Sequence, residues 1–214
     1  MRYLIVCGGK IDKEFGLNEI KTDGIDAIIA ADSGMDFLYE NGVTPDIIVG
    51  DFDSTTTNAL EYFERKGQTE IHRLNPIKDD TDTEYAIRLA ISEGARSIVM
   101  LGATGSRIDH VLGNISLLGI GLESKTDISI IDTNNRIRMS DKPVTIEKSA
   151  QYGRFVSLIA LTDDNEVSLK GFKYPVTDYS FDRFTSLGIS NEIVDDHALI
   201  DIHRGKFIII ESKD

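Results

Sequence analysis

Ile47-Ile48-Val49-Gly50-Asp51-Phe52-Asp53-Ser54 joins an apolar run to a glycine and two carboxylates two positions apart. The run reads as a buried strand, and Gly50 lets the backbone turn tightly where it ends. Two carboxylates at i and i+2 on a strand exit can face one hard cation together. Mg²⁺ takes a few carboxylate oxygens and completes its shell with waters and substrate phosphates. An Asp-x-Asp also serves as an acidic turn cap, so the stretch takes its meaning from its surroundings. A helical pattern begins near Thr56, which makes it one strand–loop–helix unit.

The same unit recurs on both sides. Tyr3 to Cys7 reads as a strand ended by Gly8-Gly9. Ala27 to Ala31 is a second strand, followed by Asp32-Ser33-Gly34 and a short helix from Asp36 to Tyr39 that Asn41-Gly42 stops. Ala59 to Lys66 is helical and capped by Gly67. Glu70 to Leu74 leads to Lys78-Asp79-Asp80-Thr81-Asp82, where Thr81 and Glu84 fit a capping box for the next helix. That helix places Ala86, Leu89 and Ala90 on one face and ends at Gly94. Ser97 to Leu101 opens into Gly102-Ala103-Thr104-Gly105-Ser106-Arg107, then a helix from about Ile108 to Leu118 and a strand from Asp127 to Ile131. Strand and helix alternate throughout, which implies a mostly parallel sheet between helices in a three-layer α/β domain. Ligands of such sheets bind beyond the carboxyl ends of the strands. Gly8, Asp32, Asp51, Asp82 and Gly102 are therefore expected along one edge.

After Asn134-Asn135 the runs become short and alternating: Thr145 to Lys148, Phe155 to Leu161, Glu166 to Leu169, His197 to His203 and Lys206 to Glu211. Turn signals separate them, and the pattern reads as a small antiparallel β-sandwich or barrel. The expected division is an α/β domain over residues 1–134 and a β-domain over residues 135–214.

Composition bounds the function. The chain has 214 residues, 41% of them hydrophobic, and a net charge of −13. That charge argues against a domain-wide basic face for nucleic acid. Cys7 is the single cysteine, so no intramolecular disulfide can form, and its apolar strand context suggests an inert buried thiol. No apolar run approaches the roughly 18 residues of a membrane span. Without a leader-like start, a cytoplasmic location is expected.

Two further loops carry chemistry. Four of the five residues from Lys78 to Asp82 are charged, and Asp79, Asp80 and Asp82 would repel Asp51 and Asp53 unless a cation sat among them. Asp82 in a first helical turn is also favourable by itself, by a few tenths to about 1 kcal/mol. The glycine-rich turn from Gly102 offers backbone N–H groups to an anion, helped by the helix that follows. Arg107 adds a bidentate donor for phosphate. No Gly-Lys-Ser/Thr follows the glycines, so it is not a Walker A loop. Asp109 can orient Arg107 or meet substrate, and His110 reads as a structural hydrogen-bonding residue. Asp32 could bind ribose hydroxyls, as acidic residues after a second strand do in dinucleotide folds.

These residues resemble those of bacterial thiamine pyrophosphokinases along nearly the whole chain. The matching motifs are Ala31-Asp32-Ser33-Gly34, Pro45-Asp46 with Gly50-Asp51-Phe52-Asp53-Ser54, and Lys78-Asp79-Asp80-Thr81-Asp82. They continue with Gly102-Ala103-Thr104-Gly105, Arg107, Asp109-His110, Gly113-Asn114, Gly171-Phe172-Lys173-Tyr174-Pro175 and Ser190-Asn191-Glu192. The resemblance implies an N-terminal α/β domain, a C-terminal β-sandwich and a homodimer. It implies that thiamine and ATP give thiamine diphosphate and AMP with Mg²⁺. Asp51, Asp53 and Asp82 would bind the metal. Gly8, Gly9, Asp32, Ser33, Gly102, Thr104, Gly105, Ser106 and Arg107 would bind ATP, and Ser190, Asn191 and Glu192 would bind thiamine, facing the other subunit's phosphate edge. Asp80 or Asp109 would accept the hydroxyl proton. Two residues depart from the pattern: Ser106 replaces a common second glycine, and Tyr85 replaces a Lys found in some relatives. The second departure removes the expectation of a cation from that helix.

Two other readings compete. Asp51-Phe52-Asp53-Ser54-Thr55 resembles the nucleophile loop of haloacid-dehalogenase-like phosphatases, although theirs follows the first strand and this one follows the third. A nucleotide- or thiamine-sensing module would bind both ligands without turnover.

Overall fold

The strand–loop–helix grammar becomes eleven elements between residues 2 and 131 of a computed structural model that describes residues 1–52, 58–75 and 80–214. In order these are β1 (Arg2–Val6), α1 (Lys13–Ile20), β2 (Ala27–Ala31), α2 (Gly34–Glu40), β3 (Ile47–Gly50), α3 (Ala59–Lys66), β4 (Glu70–Arg73), α4 (Asp82–Ser92), β5 (Ser97–Leu101), α5 (Ile108–Ser124) and β6 (Asp127–Ile131). They belong to the first of two compact units, Met1–Thr133.

The six strands lie in the order β4-β3-β2-β1-β5-β6, and every pairing among them is parallel. Leu4, Ile5, Ile29, Ala30, Ile48, Val49, Ile98 and Met100 are buried, as central strands covered on both faces must be. The chain steps outward from β1 to β4 and then returns past β1 to β5. Right-handed crossovers put α1 to α3 on one face and α4 and α5 on the other. Tyr39 of α2 stacks edge-on against Tyr62 and Phe63 of α3, and α4 packs on α5. The order reverses between β1 and β5, the switch point where such sheets open a crevice.

Sequence signals explain most boundaries. Gly67 caps α3 with φ 65°, and its N–H donates to the Phe63 carbonyl. The Thr81 hydroxyl accepts from the Glu84 N–H at 3.2 Å, the first half of the expected capping box. Two helices differ from expectation. α5 continues past Leu118 to Ser124, through Gly121, where the helix passes close to the Thr126 backbone. α1 was not expected, because Gly16 interrupts its pattern. Gly16 is buried, and an added Cβ would stand 2.7 Å from the Phe37 ring of α2.

The second unit, Asn134–Asp214, is antiparallel. Its strands are β7 (Asn135–Ser140), β8 (Val144–Glu147), β9 (Phe155–Ala160), β10 (Glu166–Lys170), β11 (Val176–Ser180), β12 (Asn191–Glu192), β13 (His197–Arg204) and β14 (Phe207–Ser212). One set runs β12-β9-β14-β7 and the other β11-β10-β13-β8. Val156, Leu158, Phe207 and Ile209 from the first meet Val167, Leu169, Ile200 and Ile202 from the second. Phe181 closes this core edge-to-face against Phe207 at 5.7 Å. The unit is a β-sandwich. Glu211 of β14 is fully buried and paired with Arg136 and Arg138 of β7.

Candidate active site

The exits of β1, β2, β3 and β5 meet at one edge of the parallel sheet, and their backbones are tied together there. The Cys7 N–H donates to the Leu101 carbonyl at 2.8 Å, the Gly9 N–H to the Gly102 carbonyl at 2.9 Å, and the Asp32 N–H to the Val49 carbonyl at 2.8 Å. Gly9 has no room for a side chain, because an added Cβ would run into the backbone oxygens of Gly102 and Thr104. Gly102 takes φ +66°, the left-handed region that glycine enters without cost. The two glycine turns read from sequence are thus one joined surface at the switch point.

Beyond β2 and β3 stand the carboxylates. One oxygen from each of Asp32, Asp51 and Asp82 lies within 4.8 Å of the other two, and all three residues are half-buried. Asp32 joins this group although its sequence position suggested a ribose ligand. β2 and β3 are adjacent, and α4 crosses back over them, so the three carboxylates converge from three elements. Asp53 and Asp79 lie outside the described residues. Asp80 is exposed, two residues before Asp82.

The backbone at this edge is under strain. Asp32 has φ 49° and Phe52 has φ 61°, in a region that costs a non-glycine residue about 1–3 kcal/mol. The Arg73 guanidinium sits 5.4 Å from the centre of the Phe52 ring and pairs with Glu64. Arg73 ends β4 opposite Gly50, so this stack braces the turn that presents Asp51.

The turn after β5 is held from below. Thr104 donates to Asp132 Oδ2 at 2.8 Å, and Asn114 Nδ2 donates to the Ala103 carbonyl at 2.8 Å. Asn114 therefore fixes the turn from within α5, a role its place in the motif did not disclose. Gly105, Ser106 and Arg107 are exposed, and the side chain of Arg107, the N-cap of α5, makes no capping bond. Arg107 donates to both oxygens of Asp109, from Nη2 at 2.6 Å and from Nε at 3.3 Å. This pairing holds the Asp109 carboxyl at about 2. While this pairing lasts, the carboxyl is a weak proton acceptor. Cys7 is buried beneath the edge, which pushes its thiol up to about 12 and keeps it inert.

In the second unit, Asn191 is buried and its amide is already engaged. Oδ1 accepts from the Tyr174 and Glu192 N–H groups at 3.0 and 2.9 Å, and Nδ2 donates to the Tyr174 carbonyl at 2.9 Å. Asn191 thus links the Tyr174 loop to its own strand. Glu192 pairs with Lys173 and Arg154, which lowers its carboxyl. Ser190 has φ 60°, and its N–H donates to Ser157 Oγ at 2.9 Å. The motifs that looked separate in sequence, Gly171 to Pro175 and Ser190 to Glu192, form one cluster.

A parallel α/β unit with acidic and glycine-rich loops on one edge is followed in the chain by a β-sandwich unit. Residues 21–131 match the thiamin pyrophosphokinase catalytic domain, and residues 143–207 match the thiamin pyrophosphokinase vitamin B1 binding domain. The chain belongs to the thiamin pyrophosphokinase family. It is 35% identical over 188 residues to the thiamine pyrophosphokinase of Bacillus subtilis (strain 168), covering 87% of each chain. The crystal structure of a Bacillus subtilis thiamine pyrophosphokinase superposes with a TM-score of 0.88, at 31% identity over 100% of both chains. That of the Geobacillus thermodenitrificans thiamin pyrophosphokinase gives 0.86, at 28% identity over 100% of this chain and 98% of the other. The family assignment displaces the phosphatase and sensing-module readings. Among the described residues, no helix is long and apolar enough to cross a membrane.

Proposed function

We propose that the chain transfers the pyrophosphoryl group of ATP to the hydroxyl of thiamine, giving thiamine diphosphate and AMP. The observation that carries this reading is the convergence of Asp32, Asp51 and Asp82 at the carboxyl edge of the parallel sheet, in a chain of this family. Three carboxylates offer hard oxygen donors only, which suits Mg²⁺. Asp51 and Asp82 would hold the ion with Asp53, and Asp32 is close enough to join them. Bound there, Mg²⁺ would neutralise charge on the ATP phosphates. Transfer of this kind depends on positioning and electrostatics more than on covalent chemistry. Gly102, Thr104, Gly105 and Ser106 would offer the α5 N-terminus to phosphate, with Gly8, Gly9 and Ser33 beside them. Arg107, oriented by Asp109, would meet the charge that develops on transfer. Asp80, exposed two residues before Asp82, would take the hydroxyl proton. Ser190, Asn191 and Glu192 would shape the thiamine site, Asn191 by fixing the Tyr174 loop. Incubation with ATP, thiamine and Mg²⁺ should release AMP and thiamine diphosphate in equal amounts; ADP with thiamine monophosphate would refute the reading.

Arg107→Lys should lower kcat/KM about 10²-fold, the scale of one lost transition-state donor, because a point charge cannot replace a planar fork. Full activity in this variant would reduce the role of Arg107 to charge alone.

The Asp109 carboxyl is depressed from 3.8 to about 2. Its pairing with Arg107 is therefore complete above its ordinary titration range and is lost as pH falls through about 2. Carboxyl-carbon NMR should show Asp109 titrating near that value and returning to the ordinary range in Arg107→Ala.

The protein should act as a homodimer. Phe184 and Leu187, in the loop before Ser190, are 90% and 62% exposed, and each would gain by burial between subunits. Sedimentation should give a dimer; a fully active monomer at assay concentration would exclude it.

A further inference from the structure

We propose that Tyr85, held by His72 and Glu70, is the positioning residue that sets Asp82 against Asp32 and Asp51. The proposal rests on the Mg²⁺ reading above and adds to it the device that fixes one ligand.

Asp82 is the first residue of α4 and belongs to no strand. Its position depends on how the first turn of that helix is held. Two side chains of that turn reach opposite flanks of the sheet edge. Thr83 Oγ1 points to Cys7 Sγ, 3.8 Å away at the end of β1. The Tyr85 hydroxyl lies 3.1 Å from His72 Nδ1 on β4, three strands away in the sheet order. Asp32 and Asp51 leave the two strands in between. The turn is thus braced on both sides of the carboxylate group. The sulfur contact is long and weak, so the Tyr85 bond is the stronger brace.

The bond is directional. His72 Nε2 lies 2.6 Å from Glu70 Oε1. A carboxylate only accepts, so Nε2 carries a proton, and in that tautomer Nδ1 accepts from the Tyr85 hydroxyl. This carboxylate–imidazole–hydroxyl chain ties the helix turn that carries Asp82 to β4, and so acts on that ligand through the backbone that presents it. The rings also meet edge-to-face, with centroids 6.0 Å apart.

The test uses the full chain with Mn²⁺ alone as the probe, bound ion being read from the loss of the free-ion electron paramagnetic resonance signal. Tyr85→Phe keeps the ring and removes the hydroxyl. It should weaken Mn²⁺ binding about tenfold, the scale of a lost outer-shell partner. It should raise the Mg²⁺ concentration needed for half-maximal turnover in the same proportion and leave KM for thiamine unchanged. His72→Leu should match it, whereas His72→Asn, whose amide oxygen can replace Nδ1 as acceptor, should retain wild-type binding. Asp82→Asn is the control. If Asp82→Asn loses Mn²⁺ while Tyr85→Phe binds it like wild type, the strut is merely structural and the proposal falls alone. If Asp82→Asn itself binds Mn²⁺ normally, the metal reading falls and takes the proposal with it.

Discussion

Asp51→Asn is expected to lower kcat/KM about 10²–10³-fold, comparable to removing one preorganised electrostatic contact to a transition state. The amide keeps the size of the side chain but gives up its negative charge, and a neutral oxygen is a poorer Mg²⁺ ligand. Asp51 is half-buried at the end of β3, and the turn that carries it is braced by the Phe52–Arg73 stack. The fold should survive the change, with a thermal midpoint within about 4 °C of wild type, the shift that a ΔΔG near 1 kcal/mol gives a chain of this size. Raising Mg²⁺ should restore part of the activity, since the remaining carboxylates still attract the ion. Near-normal turnover at limiting Mg²⁺ would remove Asp51 from the site.

Glu211→Ala should produce the largest loss of stability, about 3–5 kcal/mol, because it leaves two guanidinium groups without their shared carboxylate. Glu211 is 0% exposed. It accepts from Arg136 Nε and Nη2 at 2.9 and 2.7 Å, from Arg138 Nη2 at 2.8 Å, and from the Tyr152 N–H at 2.9 Å. Both carboxylate oxygens are used, and strands β7 and β14 are tied by charge as well as by their ladder. Glu211→Gln should cost less, since it keeps the volume and one acceptor. Urea denaturation of the three proteins should give stabilities in the order wild type, Gln, Ala. An Ala variant within about 0.5 kcal/mol of wild type, where ordinary surface changes fall, would show that the cluster contributes little.

These two sites also mark where the sequence could be read and where it could not. The strand exits were legible because parallel strands buried on both faces appear as apolar runs, and Gly8, Asp32, Asp51 and Gly102 each follow one. β7 was not legible. Its Arg136 and Arg138 look like a solvated face, and only the pairing of β14 with β7 shows that they meet a buried Glu211. β12 is two residues long, too short to show an alternating pattern, and the side-chain bonds that hold Asn191 come from residue 174. The same limit applies to Asp32. Its position after a second strand was clear, but its proximity to Asp82 depends on the path of α4 over the sheet, which local patterning does not encode. Tyr85 registered as a departure from relatives, and its partner His72 became visible only once β4 was placed beside β3.

The central claim is that pyrophosphoryl transfer from ATP to thiamine occurs in one step, and the fate of the β-phosphorus tests it most directly. With ATP labelled in the β-phosphate, thiamine and Mg²⁺, the label should appear wholly in thiamine diphosphate, with unlabelled AMP as the other product. Label recovered in ADP, with thiamine monophosphate as the thiamine product, would contradict the account.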